Sequence, residues 1–233
     1  MINPEIIAIA GTLIAVIVPG MGSGYAMQRI GELSESLLKR KAGGFFTDSL
    51  VFSVLAETPT IYGLLVAVII LTTIPNGITE VQAMALLLAA VDVAITGVLA
   101  AYSIGLVAQA ALVGIKENSK LFGKTLILAA LPEAIAIYGL IISLLILMAA
   151  GAFGDPKISD YSDIESLAIA SVIISLSGFV ALFIARIAVS AIKNMVTEDA
   201  VFGQTLVIAV LPESIALYAL LVAVMILSGG GYI

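Results

Sequence analysis

The chain is 233 residues long, 61% of them hydrophobic and 11% charged, with a mean hydropathy of +1.21. Soluble chains are about half apolar and a quarter charged, so this composition excludes the soluble globular classes and describes an integral membrane protein. With no Cys and no His it excludes disulfides, thiolate zinc sites, haem-ligating or proton-relaying imidazoles and both corresponding nucleophiles, and a net charge of −6 with a pI near 4.5 argues against a nucleic-acid partner.

A helix needs about 20 apolar residues to cross the hydrocarbon core. Six such runs are predicted: Ile6 to Met27, Leu50 to Ile74, Val81 to Ile115, Thr125 to Ala150, Leu167 to Ile192, and Thr205 to Leu227. The opening residues Met1, Ile2, Asn3, Pro4 and Glu5 offer neither a basic n-region nor a cleavage site, so the first run reads as a retained helix. Pro75, Asn76 and Gly77 turn the chain between the second and third runs; Gly154, Asp155 and Pro156 do so between the fourth and fifth. Arg29, Lys39, Arg40, Lys41, Lys116, Lys120, Lys124, Arg186 and Lys193 lie in or near the loops joining runs one to two, three to four and five to six. Only Lys157 lies on the other side. The positive-inside rule makes those three loops cytoplasmic and both termini external, with an external acidic loop holding Asp155, Asp160, Asp163 and Glu165.

The chain repeats itself. FGKTLILAALPEAIAIYGLIISLLILMAAG from Phe122 and FGQTLVIAVLPESIALYALLVAVMILSGGG from Phe202 agree at 15 of 30 positions, and FTDSLVFSVLAETPTIYGLLVAVII from Phe46 is a third copy. The fold class is therefore an all-α membrane protein of six transmembrane helices in three tandem hairpins, spanning residues 1–78, 79–154 and 155–233. Same-orientation repeats in odd number are unlike the inverted halves of secondary transporters. The odd runs carry small residues, Gly11, Gly20, Gly22 and Gly24 in the first, Gly97 and Gly105 in the third, Ser171, Ser175, Ser177 and Gly178 in the fifth. Small residues let helix backbones approach in a membrane, which places the odd helices in a crowded inner layer and the bulkier even helices outside.

Aligning the copies sets Glu57, Glu133 and Glu213 at one position, each about nine residues from the cytoplasmic end of its helix. A charged carboxylate at the bilayer centre costs about 2.5–3.5 kcal/mol on insertion scales, so three equivalent ones ask for a function. Two residues before each Glu stand Leu55, Leu131 and Leu211; one after, Thr58, Ala134 and Ser214; five after, Tyr62, Tyr138 and Tyr218. At 100° per residue these offsets fall roughly 160°, 100° and 140° from the Glu, so they share one helix edge and the Glu points elsewhere. In side-by-side hairpins the Glu of one outer helix then meets the carbonyl, hydroxyl and phenol of the next. Pro59 either frees the carbonyl of Leu55 or is a packing kink; Pro132 and Pro212 stand one residue before their Glu and would free Leu128 and Ile208 instead.

Gln109 lies seven residues before Lys116, at a depth like that of Glu133, and Gln28 is its counterpart in the first run. Amide, carboxylate, carbonyl and hydroxyl oxygens together make a hard cage suited to Na+, whereas a proton needs only the carboxylate; a lone buried Gln also serves as interhelical glue. Pairing AQAALVGIK with ARIAVSAIK puts Arg186 where Gln109 stands, and its guanidinium either pairs with Glu213 or snorkels to the cytoplasmic surface. Asp92 has no equivalent in the other copies and reads as water-facing.

LPESIALYALLVAVMIL, LPEAIAIYG and LAETPTIYG resemble the outer-helix motif of the rotor-ring proteolipids of rotary ATPases, most of all the K (c-type) subunits of A/V-type enzymes in multi-hairpin form. The resemblance covers essentially the whole chain; its Glu, Ser and Tyr pattern with helix-borne Gln is similar to that of sodium-binding members. It implies a homo-oligomeric ring in lipid, turning against a stator membrane subunit whose arginine displaces the ion, and coupled through central-stalk subunits to ATP chemistry elsewhere. The chain itself would be non-catalytic, would carry Na+ or H+ and no organic cofactor, and would sit in a prokaryotic plasma membrane. On that analogy Glu57 binds the ion with Gln28, the Leu55 carbonyl, Thr58 and Tyr62 contributing in its own or an adjacent site; Glu133 with Gln109, Leu131 and Tyr138; and Glu213 with Leu211, Ser214 and Tyr218. Ala134 lacks the hydroxyl, and the third set lacks the Gln. The remaining alternative is a free-standing channel or carrier, against which the spans lack a Gly/Pro-rich unwound midpoint. No G-x-x-x-x-G-K-[ST] loop for ATP is present.

Overall fold

A computed structural model describes residues 3–38, 45–198 and 201–233, and is almost entirely helical. The helices are α1 (Pro4–Leu38), α2 (Phe45–Thr73), α3 (Glu80–Glu117), α4 (Phe122–Ala149), α5 (Tyr161–Ser177), α6 (Val180–Thr197), α7 (Phe202–Val210) and α8 (Glu213–Gly229). They make six membrane-length apolar spans, as lipid demands of a backbone that must bond itself: α1, α2, α3 and α4, then α5 with α6, then α7 with α8. Lys39, Arg40 and Lys41 lie outside the described residues.

Local chemistry fixes the helix ends. Thr79 and Gln82 form a reciprocal capping box at the start of α3, and the Gln82 amide also donates to the Ala150 carbonyl at 2.9 Å, tying that start to the end of α4. Asp160 and Asp163 form a second box on α5. Between α2 and α3 the chain turns at Gly77, whose φ of 79° suits glycine.

Two spans read as continuous are interrupted. The fifth breaks at Gly178 and Phe179, where Gly178 N–H bonds Ser175 O at 3.1 Å and Ala181 N–H bonds Gly178 O at 3.1 Å, three-residue steps in place of the α-helical ladder. A Cβ at Gly178 would stand 2.9 Å from the Ser175 carbonyl oxygen and 3.0 Å from Leu99 Cδ1, with the Thr96 Cα of α3 in ordinary contact at 3.4 Å. The sixth breaks at Leu211 and Pro212: proline has no N–H for the carbonyl four residues back, and Ser214 N–H bonds Leu211 O at 3.3 Å instead. Pro59 and Pro132 leave α2 and α4 unbroken.

The spans stand in two layers. α1, α3 and the α5–α6 span form one row with α3 at its centre; α2, α4 and the α7–α8 span form the other. Small residues set the spacing of the first row: a Cβ on Gly22 would stand 2.9 Å from Val98 O, and one on Gly105 would stand 2.9 Å from the Ala26 Cα. Across the layers, Gly63 of α2 sits against the Ala15 carbonyl and Gly139 of α4 against the Thr96 side chain, with no room for a Cβ in either place. Each layer ends at an open edge, one made by α1 and α2, the other by α6 and α8. Ile9, Leu13 and Met21 are exposed at the first, and Ile215, Leu221 and Met225 at the second. At membrane depth such faces meet lipid or another protein rather than water.

Candidate functional site: paired glutamates and tyrosines between hairpins

The phenol of Tyr62 on α2 donates to Glu133 Oε1 on α4 at 2.8 Å, and the phenol of Tyr138 on α4 donates to Glu213 Oε1 on α8 at 2.6 Å. Both bonds run from the outer helix of one hairpin to that of the next. Five residues of helix place each Tyr about 7.5 Å beyond its own Glu, but helical side chains lean back toward the N-terminus, which carries the phenol to glutamate depth. Glu133 and Glu213 are half-buried between these helices.

The first Glu and the last Tyr stand apart from this pattern. Glu57 is exposed, Tyr218 is 65% exposed, and among the described residues neither has a side-chain hydrogen bond. They belong to the two opposite outer helices, α2 and α8. Among the described residues no three acidic side chains converge.

The other predicted residues are placed as follows. Thr58 Oγ1 donates to the Leu55 carbonyl and Ser214 Oγ to the Leu211 carbonyl, both at 2.8 Å and both within their own helix. Each pair presents a carbonyl and a hydroxyl oxygen side by side, and Thr58 lies one turn before Tyr62, whose phenol bonds Glu133. Leu131 is half-buried and Ala134 adds no oxygen. Gln28 donates to Glu32 at 2.9 Å and Gln109 to the Gly105 carbonyl at 3.1 Å, so neither amide is joined to Glu57, Glu133 or Glu213. The amides are not level either: Tyr25 stacks on Tyr102 and Ala26 packs on Gly105, which sets Gln28 beside residues 105–107 of α3, short of Gln109 by roughly 3–6 Å. Arg186 makes no ion pair with Glu213 among the described residues; it is exposed and lines a groove with Gln109 and Lys193 between α1, α3 and α6.

Asp92 corrects the sequence reading outright. It is not water-facing but fully buried, with Oδ1 accepting from Ser171 at 2.5 Å and from Ser175 at 2.9 Å, while Oδ2 has no partner. Ser171 and Ser175 are four residues apart on α5 and so share the face that meets α3. That spacing, at the depth of a singleton acid, was the available signal; both serines read instead as small packing residues.

Outside the spans, the hydroxyl and N–H of Ser162 and the N–H of Asp163 hold the Asp160 carboxyl below its ordinary range. The Tyr232 phenol donates to Asp163 Oδ1 at 2.9 Å and fastens the C-terminal tail to the start of α5; burial, more than its neighbours, raises its own pKa.

The sequence matches the profile of the ATP synthase C-subunit family three times, over residues 10–70, 87–146 and 167–226. It is 30% identical over 227 residues to the A-type ATP synthase subunit K of Methanocaldococcus jannaschii, covering 97% of this chain and 98% of that one. It is 28% identical over 143 residues to the V-type sodium ATPase subunit K of Enterococcus hirae (61% of this chain, 91% of that one). To the 16 kDa proteolipid of the Homo sapiens V-type proton ATPase it is 26% identical over 141 residues (60% and 89%). The second and third matched segments start 80 residues apart and end 80 residues apart, the same spacing as Glu133 and Glu213. With three matches over most of its length, one on each hairpin, the chain belongs to the ATP synthase C-subunit family, the rotor proteolipids of rotary ATPases of the A and V types.

Proposed function

We propose that the chain is a non-catalytic rotor subunit that carries Na+, one ion at a time on each of Glu57, Glu133 and Glu213, as a ring of copies turns in the membrane. The observation that carries this reading is the pair of bonds from Tyr62 to Glu133 and from Tyr138 to Glu213, which put a carboxylate and a phenol at each boundary between hairpins. Ring closure completes the series: Tyr218 of one copy meets Glu57 of the next, so that the two open edges become a third boundary of the same kind. A carboxylate closed by a phenol is shielded while it faces lipid and opens when a stator arginine draws the carboxylate away. The ion then leaves, another enters, and the ring advances by one hairpin, with ATP chemistry left to other subunits reached through the central stalk. In this reading the loops that carry most of the basic residues face the cytoplasm.

Sodium is favoured by the adjacent carbonyl and hydroxyl oxygens of Leu55 with Thr58 and of Leu211 with Ser214, hard donor sets on the helix edges that carry Tyr62 and Tyr218, the first toward Glu133 and the second, on ring closure, toward Glu57 of the next copy. A proton is the second reading. Ala134 supplies no hydroxyl on the edge that carries Tyr138 and faces Glu213, and the Gln28 and Gln109 amides are engaged within their own helices. The test is labelling of assembled rings by a hydrophobic carbodiimide at fixed pH, followed residue by residue. Millimolar Na+ slows labelling at Glu57, Glu133 and Glu213 if sodium is the cargo; labelling that no Na+ concentration slows at any of the three overturns sodium in favour of the proton. A stable monomer that transports ions alone overturns the rotor reading itself.

A further inference from the structure

Asp92 is the buried ionisable group that the glutamate series does not use. It has no exposed surface, its Oδ2 has no partner, and no Lys or Arg pairs with it among the described residues. A carboxyl in that setting is costly enough that one without a role is not expected. At the same distance from the start of their matched segments the first and third hairpins carry Ala15 and Val172, so neither has an acid there.

Its bonds lead in two directions. Toward the third hairpin, Ser171 and Ser175 hold α5 to α3 through Asp92 Oδ1. α5 in turn packs on α8, where Ala170 and Ile174 share a buried cluster with Ala223 and Leu227. Toward the second hairpin's outer helix, Thr96 Oγ1 donates to the Asp92 carbonyl at 2.7 Å, and Gly139 of α4 seats directly on that Thr96 side chain. One turn away Ser143 of α4 donates to the Ala89 carbonyl of α3 at 2.8 Å. Gly139 adjoins Tyr138, and α8 begins at Glu213. Both ends of the 2.6 Å phenol–carboxylate bond are thus referenced to the turn of α3 that carries Asp92.

We propose that Asp92 is a positioning residue for the third glutamate: its bonds to Ser171 and Ser175 fix α8 relative to α4 and so set how Tyr138 closes Glu213. The proposal rests on the reading of the three glutamates as ion sites. It needs Oδ1 as an acceptor of two hydroxyls, which Asn also supplies and Leu does not.

The experiment is residue-resolved labelling of assembled rings by dicyclohexylcarbodiimide, with Glu57 and Glu133 as controls inside the same molecule. Asp92→Leu, and the milder Ser175→Ala, change the labelling rate of Glu213 by roughly 2- to 30-fold, the range of couplings carried through packed networks, while Glu57 and Glu133 stay within twofold. Asp92→Asn restores the wild-type rate. The proposal is overturned if Glu213 keeps its rate in Ser175→Ala and Asp92→Leu rings whose other glutamates label normally. It is equally overturned if all three rates move together, as a general loosening of the fold would make them do. If none of the three glutamates labels in the wild-type ring, the ion-site reading fails and this proposal fails with it.

Discussion

Tyr62→Phe removes one hydroxyl and nothing else, and the structure says where the consequence lands. Tyr62 and Glu57 lie five residues apart on α2, yet the phenol bonds Glu133 of α4 at 2.8 Å. A hydrogen bond to a charged acceptor contributes about 1.5–3 kcal/mol net, and the half-burial of Glu133 places this one toward the lower end. Since about 1.4 kcal/mol is a factor of ten, carbodiimide labelling of Glu133 changes about tenfold in Tyr62→Phe rings. Labelling of Glu57, whose own phenol would come from another copy, stays within about twofold. The assay is digestion and mass spectrometry of the three glutamate peptides from one labelled sample, so that ring stability and reagent access cancel. A change at Glu57 with none at Glu133 would refute the reasoning, because it would place the phenol on the glutamate of its own helix.

Two further outcomes follow from the packing and the caps. Gly139→Ala forces α4 off α3, since the new Cβ would collide with Thr96, and overpacking of this kind costs about 1–3 kcal/mol; a ring dissociating in heat or detergent at the wild-type midpoint would contradict it. Asp160 caps α5 with a carboxyl held below its ordinary value of 3.8 by Ser162 and Asp163. Its folded value lies below the unfolded one, so the cap's contribution is full above 3.8 and is lost as the pH falls through the lower folded value. Hydrogen-exchange protection at Ser162 and Asp163, corrected for the intrinsic rate, drops in that acid range, and does so less in Asp160→Asn. Identical acid profiles for the two proteins would show that Asp160 is not the titrating cap.

The hairpin plan was legible because its physics is local and repeated. Apolar runs must become helices in lipid, basic residues mark one side, and a shared LPE or LAE pattern brings Glu57, Glu133 and Glu213 to one depth. The helical periodicity even put each Tyr on a different edge from its Glu, and hence toward a neighbour. Harder to read were matters that depend on a second helix. The depth of Gln109 rested on counting from Lys116, with Gln28 taken as its counterpart, and the stacking of Tyr25 on Tyr102 sets the two apart by about a turn. Pro132 and Pro212 hold the same place in their repeats, yet of the two only Pro212 interrupts its span, and it lies in the outer span with the least burial.

The sequence by itself determined the number of spans, the threefold repeat and the depth of its acids, since hydropathy and periodicity are properties of one chain segment in lipid. Tertiary structure alone decided that Asp92 is enclosed by Ser171 and Ser175 rather than wetted, that the hydroxyls of Thr58 and Ser214 turn back to their own carbonyls, and that Glu57 and Tyr218 are left at opposite edges. The reason is common to all three: whether a polar side chain meets water, its own backbone or another helix is set by which helix stands beside it, and neighbours far apart in sequence leave no periodic mark on either segment.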